Sequence, residues 1–295
     1  MRANAVGLCL SILLGAGICA AQNAPAPAAE PAPTRLQPDQ SSLYCSGFFT
    51  DQKVPDQMRV ISGEQSNYKI TFVQGDYVYI NRGMNKGVKV GDEFSVVRQA
   101  SDTGVVPWFA WQKRLTDAMG SGYEDEGRIR VVVTHAKVSI AQVVFSCNYI
   151  QRGDIIRPFQ NRPSPPYKEP AAFDHFAKVS GKPVAMVVTM SNFRQSAGTN
   201  TTVYINLGSG QGVKVGDYFR VFRYQGSRHE TVYQIKDYQY MTYGFGSAPE
   251  RYSWNDLPRE ILGEGIVLSV TKNSSTVLIT YSSSAIYSGD YVEVE

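Results

Sequence analysis

The sequence predicts an all-β protein of two tandem small β-barrels, of the SH3-like or barrel-sandwich kind, that arose by internal duplication. Two segments that lie 125 positions apart are nearly the same, which indicates a duplicated unit. Runs of β-branched and aromatic residues are short, and Gly-rich turns separate them. Strands at this spacing are typical of a small barrel or sandwich.

The composition indicates a folded chain and argues against several functions. The chain has 295 residues, of which 43% are hydrophobic, so a sizeable core is expected. The formal net charge is only +3 and no basic run concentrates it, so we expect no nucleic-acid binding. His135, His175 and His229 are isolated, and no His-Glu-x-x-His or Cys-x-x-Cys is present, so we expect no metal, no cofactor and no catalytic residue.

The first residues, 1–21, are expected to be a signal peptide. Arg2 gives a charged start, and the apolar run from Val6 to Ile18 has the length of a signal core rather than of a membrane span. Small residues follow it, and we expect cleavage before Ala21 or Gln22. Lipidation at Cys19 is the alternative, but Ile18 departs from the usual lipoprotein pattern, so simple export is preferred.

The remaining organisation follows from composition. Residues 22–42 are rich in Ala-Pro and predict an extended linker, either a tether or a plain flexible leader. The first β-barrel repeat is expected over 43–158 and the second over 183–295, with a Pro-rich linker at 159–182 between them. No later stretch is apolar enough to predict a transmembrane span.

Two pairs of segments define the repeat. Residues 78–98 and 203–223 are identical at 14 of 21 positions, and both contain GVKVGD. Residues 127–154 and 263–290 have equal length and both end in Ile-x-x-Gly-Asp. Glycines there allow tight chain reversal, and each Asp is expected to bond local backbone amides rather than to bind metal or to catalyse. The predicted structural turn residues are Gly83, Gly87, Gly91, Asp92, Gly153, Asp154, Gly208, Gly212, Gly216, Asp217, Gly289 and Asp290.

The phrase YIN-x-G-x-x-x-GVKVGD-x-F-x-V-x-R, followed by G-x-I-x-V and a closing Gly-Asp strand, resembles the C-terminal domain of the flagellar assembly protein T. Residues 263–280 are also similar to the β-domains of the rod-shape protein MreC. The resemblance covers both repeats. It implies a small all-β module of exported bacterial proteins, and neither family consists of enzymes. The other domains of the first family and the coiled coil of the second are missing, so neither cellular role is carried over.

Two cysteines, Cys45 and Cys147, remain after the signal peptide. One pair in an exported protein predicts a disulfide bond. The second repeat has neither cysteine, and Ser283 stands at the position that matches Cys147. Two buried free thiols are the alternative.

A short helix is expected in the first insert, between Pro107 and Gly120, with Trp108, Trp111, Leu115 and Ala118 on one face. The acidic residues Asp102, Glu124, Asp125 and Glu126 are expected to be solvated loop charges.

Aromatic residues are concentrated in the inserts that follow the repeated strand. Tyr and Trp suit protein or sugar surfaces, so these inserts are candidate partner contacts. The alternative is that they cap the barrels or pack the two units together. The candidate contacts are Trp108, Trp111, Tyr238, Tyr240, Tyr243 and Trp254.

These observations predict a non-enzymatic protein of the periplasm or outer membrane that binds an envelope protein or peptidoglycan as an interaction or structural module. The alternative is a secreted hydrolase that acts on envelope polymers. A catalyst needs polar groups that converge in a cleft, whereas a scaffold presents an exposed aromatic patch.

Overall fold

The structure is a computed structural model that describes residues 37–101, 104–169, 172–224 and 258–295. It is mostly β, which confirms the predicted fold class, and both sheets belong to one compact unit. No helix within the described ranges is long and apolar enough to cross a bilayer.

The N-terminal sheet is antiparallel. Its strands are β1 (Phe48–Thr50), β2 (Val60–Gly63), β4 (Tyr77–Ile80), β5 (Glu93–Gln99), β6 (Ser121–Thr134), β7 (Ser139–Ser146) and β9 (Ile155–Pro158). The order is β2-β4-β7-β6-β5-β9, and β1 pairs with β6. A separate two-stranded ribbon pairs β3 (Thr71–Phe72) with β8 (Ile150–Gln151).

The C-terminal barrel has the corresponding order. Its strands are β10 (Val184–Met190), β12 (Thr202–Ile205), β13 (Tyr218–Tyr224), β14 (Arg259–Val270), β15 (Ser275–Ser282) and β17 (Tyr291–Val294). They close in the order β10-β12-β15-β14-β13-β17, and β11 (Ser196–Ala197) pairs with β16 (Ile286–Tyr287). The end strands β10 and β17 pair over three residues.

The N-terminal sheet closes less completely. It curls until Arg59, just before β2, forms one isolated bridge with Ile155 of β9. Ile156 N then donates to Met58 O at 2.8 Å. The two sheets therefore share one strand order and differ in closure.

The two cores occupy matched positions. Val78, Ile80 and Phe94 are buried in the N-terminal sheet, and Val203, Ile205 and Phe219 are buried in the C-terminal barrel. Because the same faces of matched strands point inward, the strand periodicity of the repeat accounts for both cores.

Two helices are present within the described residues. Helix α1 covers Gln40–Tyr44, across the predicted boundary between the linker 22–42 and the first repeat, and α2 covers Gln112–Met119. A helix in the first insert is thus confirmed, but it begins five residues beyond Pro107. The prediction of its face was wrong, because Gln112, Thr116 and Met119 are the buried positions.

The recurring turn has the same geometry in both sheets. Gly83 and Gly208 begin short 3-10 turns that end at Gly87 and Gly212, where φ is +81° and +85°. A Cβ added at Gly83 would lie 2.1 Å from the His135 carbonyl oxygen, so only glycine fits this close approach.

The Gly-Asp pairs close the next turn. Asp92 Oδ2 accepts from Lys89 N at 2.9 Å, and Asp217 Oδ2 accepts from Lys214 N at 2.8 Å. Asp76, which the sequence analysis did not single out, makes the same bond to Val73 N. These bonds are those of a backbone turn.

Candidate functional site

Of the predicted partner residues, Trp108 and Trp111 can be placed, whereas Tyr238, Tyr240, Tyr243 and Trp254 lie outside the described residues. Trp111 directly precedes α2 and is 51% exposed, with the Arg114 guanidinium 5.7 Å from its ring centroid. The indole Nε1 of Trp108 is buried and has no hydrogen-bond partner among the described residues. Trp111 therefore presents aromatic surface, whereas Trp108 is only partly exposed.

The buried face of α2 packs the two sheets together. Gln112 Nε2 donates to the carbonyl oxygen of Val188 in β10 at 2.9 Å. Met119 packs with Val188 and with Phe49 of β1, and Leu115 lies against this cluster. The buried face of α2 is thus part of the interface between the two units, and Trp111 is the exposed part of the insert.

Residues 37–50, which we call the N-terminal arm, lie across both sheets. Leu43 packs against Ile266, Leu268 and Leu278 of the C-terminal barrel. Two residues later the arm is joined covalently to the end of the N-terminal sheet, since Cys45 and Cys147 form a disulfide with their Cα atoms 5.2 Å apart. The predicted disulfide is therefore confirmed, and it fastens a segment that touches both units.

The beginning of the predicted second linker is also packed. In residues 159–169, which we call the strap, Arg162 makes two hydrogen bonds of 2.9 and 3.0 Å to the Asp125 carboxylate and donates to Leu43 O. Lys168 Nζ lies 2.6 Å from Glu264 and 2.8 Å from Glu295. The strap is therefore bound to the arm and to both sheets.

Arginine–aspartate pairs occupy matched buried positions. Arg98 Nε lies 2.8 Å from Asp154 Oδ1, and Arg223 Nε lies 2.7 Å from Asp290 Oδ1. Each carboxylate also accepts a backbone N–H three residues earlier, at 2.7 Å. These two aspartates thus tie a turn to a neighbouring strand in addition to forming the turn.

A cavity of about 310 Å³, which we call the acidic cavity, lies between the arm and the two sheets. Glu124, Asp125 and Glu126 line it together with the disulfide and Tyr204. Tyr204 is buried and donates its hydroxyl to Ser46 O at 2.9 Å. Burial raises the pKa of this phenol, so it remains a hydrogen-bond donor.

Glu126 is the unusual group in the acidic cavity. It is 0% exposed and sits where the register of β5 and β6 shifts. Arg98 Nη1 lies 3.2 Å from Oε1 outside hydrogen-bond geometry, so neither carboxyl oxygen has a hydrogen-bond partner among the described residues. Desolvation raises the pKa of Glu126 to about 8, although Arg98 opposes the shift.

The prediction that Asp125 and Glu126 are solvated loop charges was wrong, because both are buried in β6. Glu124 is half-buried, and Asp102 lies outside the described residues. The repeat itself carried a signal for Glu126, because the alignment of the second pair of segments, continued by one residue toward the N-terminus, places the core residue Leu262 at its position.

A second, larger space, which we call the inter-unit groove, has a volume of about 590 Å³. Residues of β1, β9, the strap and the β14 end of the C-terminal barrel line it. Lys53, Arg157 and Arg162 are its charged lining residues. The two spaces between the units therefore carry opposite charge. Among the described residues, no cluster of three His, Cys, Asp or Glu side chains is arranged to hold a metal ion.

Comparison with known proteins gives no relative from which a function could be carried over: no protein family matches the sequence, and no curated protein matches it.

Proposed function

We propose that this chain is a non-enzymatic exported protein of the bacterial cell envelope that acts as an interaction or structural module for an envelope protein or peptidoglycan. The main support is the disulfide-anchored arm, which holds two β units as one body. Disulfides of this kind persist in oxidising compartments outside the cytoplasm. The signal-peptide pattern and the family resemblance point to the same compartment.

Trp111 is the described residue that best fits a partner contact. Half of its surface is exposed, beside a cluster that joins the two units. Exposed Trp residues with an apolar body and a polar tip are enriched at binding hot spots.

A photo-crosslinking amino acid at position 111 tests this function in intact cells. The matched control carries the same group in place of Tyr68, which is 93% exposed and lies far along the chain from the insert. A specific crosslink from position 111 to an envelope protein or to a peptidoglycan fragment, absent from position 68, supports the proposal. Equal crosslinking from both positions would contradict it.

The second candidate function is hydrolysis of an envelope polymer, and Glu126 is the observation that favours it. A carboxyl group that stays protonated near neutral pH is the kind of group that serves as a general acid. Incubation of purified sacculi with the protein and with Glu126→Gln tests this. Release of soluble fragments by the wild type alone would favour the hydrolase.

A further inference from the structure

The inter-unit groove has the size and lining of a ligand site. Its volume of about 590 Å³ is in the range of small-ligand pockets. Val54, Ile156, Leu268 and Val270 give it an apolar floor with contributions from both units. A ligand there would contact both β units at once.

The charge of the groove is one-sided. Lys53, Arg157 and Arg162 line it, and no Asp or Glu is among the described lining residues. Arg162 is already paired with Asp125. Among the described residues, no carboxylate lies within salt-bridge distance of Arg157. Its guanidinium is 5.0 Å from the centroid of the Phe48 ring. Burial lowers the pKa of Arg157, the neighbouring Arg162 acts in the same direction, and Asp125 opposes the shift from beyond salt-bridge distance.

The C-terminal barrel has a carboxylate at the position that matches Arg157. Arg157 pairs with Ser95 across β5 and β9, and Glu293 pairs with Arg220 across the matched strands β13 and β17. Glu293 is 0% exposed and lies 2.6 Å from Arg259. At this matched position the C-terminal barrel thus has the carboxylate of Glu293, which pairs with an arginine. The N-terminal sheet has Arg157 there, which lacks a carboxylate within salt-bridge distance.

A second polar group in the groove lacks a partner. The hydroxyl of Ser269 in β14 is buried and has no hydrogen-bond partner among the described residues. A buried hydroxyl without a hydrogen-bond partner is destabilising, and a ligand that bonds to it would remove that penalty. Ser269 and Arg157 belong to different units and line the same groove.

We propose that the inter-unit groove binds an extended acidic peptide segment, with a side-chain carboxylate of the peptide on Arg157 and a peptide polar group on Ser269. This inference rests on the proposed function, since it specifies the chemistry of the partner. Guanidinium groups bind carboxylates through two parallel hydrogen bonds. In an extended peptide alternate side chains point to opposite sides, so acidic and apolar residues can meet Arg157 and the floor in turn.

An anionic glycan is the alternative occupant, and the lining favours the peptide. Sugar rings stack on exposed aromatic faces. Phe48 is the one aromatic residue among the described lining residues, and the Arg157 guanidinium lies over its ring.

The test uses the exported, disulfide-intact protein and a labelled pentapeptide with blocked ends that alternates Val and Glu. We expect anisotropy to report binding that weakens as salt rises. The peptide with Gln in place of Glu should bind at least about tenfold more weakly, because it lacks the charge-assisted pairs.

The variants separate the groove from general electrostatics. Arg157→Gln should weaken binding about tenfold, and Arg157→Lys by less, because lysine keeps the charge without the forked geometry. Ser269→Ala should weaken it about threefold or more. The matched control is Arg152→Gln, which removes an exposed arginine outside the groove and should leave binding unchanged. Melting curves of all variants show whether each one is folded.

Several outcomes would overturn the inference. Equal binding of the Gln peptide, or equal loss with Arg152→Gln, shows that no specific carboxylate site exists. Arg157-dependent binding of sacculi, together with binding of purified glycan strands freed of their peptides and no binding of the labelled peptide, identifies a glycan instead. Self-association of the protein that Arg157→Gln abolishes identifies a second copy as the occupant. If the peptide fails while position 111 still crosslinks to a partner, this inference falls and the proposed function stands.

Discussion

The N-terminal sheet and the C-terminal barrel agree in their framework and differ where the two units meet. Both contain the Gly-Asp turn and a buried Arg–Asp pair, Arg98–Asp154 in one unit and Arg223–Asp290 in the other. In each pair the arginine and the aspartate belong to the same unit. Matched positions of this kind therefore report what one unit needs in order to fold.

Among the matched positions that differ, three have side chains of the N-terminal sheet that line the spaces between the units. Cys147 replaces Ser283 and Glu126 replaces Leu262, and both line the acidic cavity. Arg157 replaces Glu293 and lines the inter-unit groove. At these three positions the N-terminal sheet therefore differs from the C-terminal barrel within its framework, and not only in its insert.

Removal of the disulfide, which is present only in the N-terminal unit, should have the largest effect on the stability of the protein. Cys45→Ser with Cys147→Ser gives the N-terminal sheet the serine that the C-terminal barrel has. The bridge closes a loop of 102 residues, so the chain-entropy argument gives a loss of roughly 4–5 kcal/mol in the free energy of unfolding. Urea denaturation measures it.

Reduction of the wild type is the control for that variant. A thiol reductant should reproduce the loss in the wild type and have no effect on the double variant. Unchanged stability of the double variant would mean that packing of the arm, through Leu43, is sufficient without the bond.

The buried pairs should respond unequally when each aspartate is neutralised. Asp290→Asn leaves the partly buried charge of Arg223 without its anion, and we expect a loss of about 2–3 kcal/mol. Asp154→Asn should cost less, because Glu126 lies 3.2 Å from Arg98 and can ionise in its place. Thermal unfolding of both variants at pH 7 compares them. Equal losses would show that Glu126 does not support Arg98.

Glu126 should make the stability of the N-terminal sheet depend on pH. The C-terminal barrel has Leu262, which does not titrate, at the matched position. The folded pKa of Glu126, about 8, lies above the ordinary value of 4.5 for glutamate, so the folded state holds the proton more tightly. The stability due to that proton is complete below the unfolded pKa and is lost as the pH rises toward 8. Glu126→Leu should therefore stabilise the protein by about 1–3 kcal/mol at pH 9, and by less at pH 6.

Glu126→Gln is the matched variant for this pH dependence, because it keeps the shape of the protonated acid. It should resemble the wild type at pH 6 and exceed it in melting temperature at pH 9. A wild type and a Gln variant that respond identically to pH would show that Glu126 does not titrate in this range.

The sequence was sufficient for features that depend on local pattern. Strand runs, the repeat and the lone cysteine pair predicted the fold class and the disulfide. The face of α2 was mispredicted because Gln112 is buried through hydrogen bonds to the backbone of Val106 and Val188, which a count of apolar residues cannot detect.

The buried acids were missed for a similar physical reason. Acidic residues are rarely buried without a paired cation, and the cations Arg98 and Arg162 are distant from Asp125 and Glu126 along the chain. Arg157 carries no local pattern at all, since its significance comes from having no carboxylate within salt-bridge distance in the folded chain. Only the match with Leu262 and Glu293 in the repeat offered a signal.

The smallest predicted effect tests whether the recurring turns are equivalent. Gly87 and Gly212 have φ of +81° and +85°, and a Cβ at either would meet no atom within 4 Å. The cost of Gly87→Ala or Gly212→Ala is therefore backbone strain alone, about 1 kcal/mol in each case. Asparagine tolerates this left-handed conformation better, so Gly87→Asn and Gly212→Asn should lose less. Chemical denaturation of the four variants measures the losses. A clear difference between the two alanine variants would mean that the turns, although alike in geometry, are constrained differently by the rest of each unit.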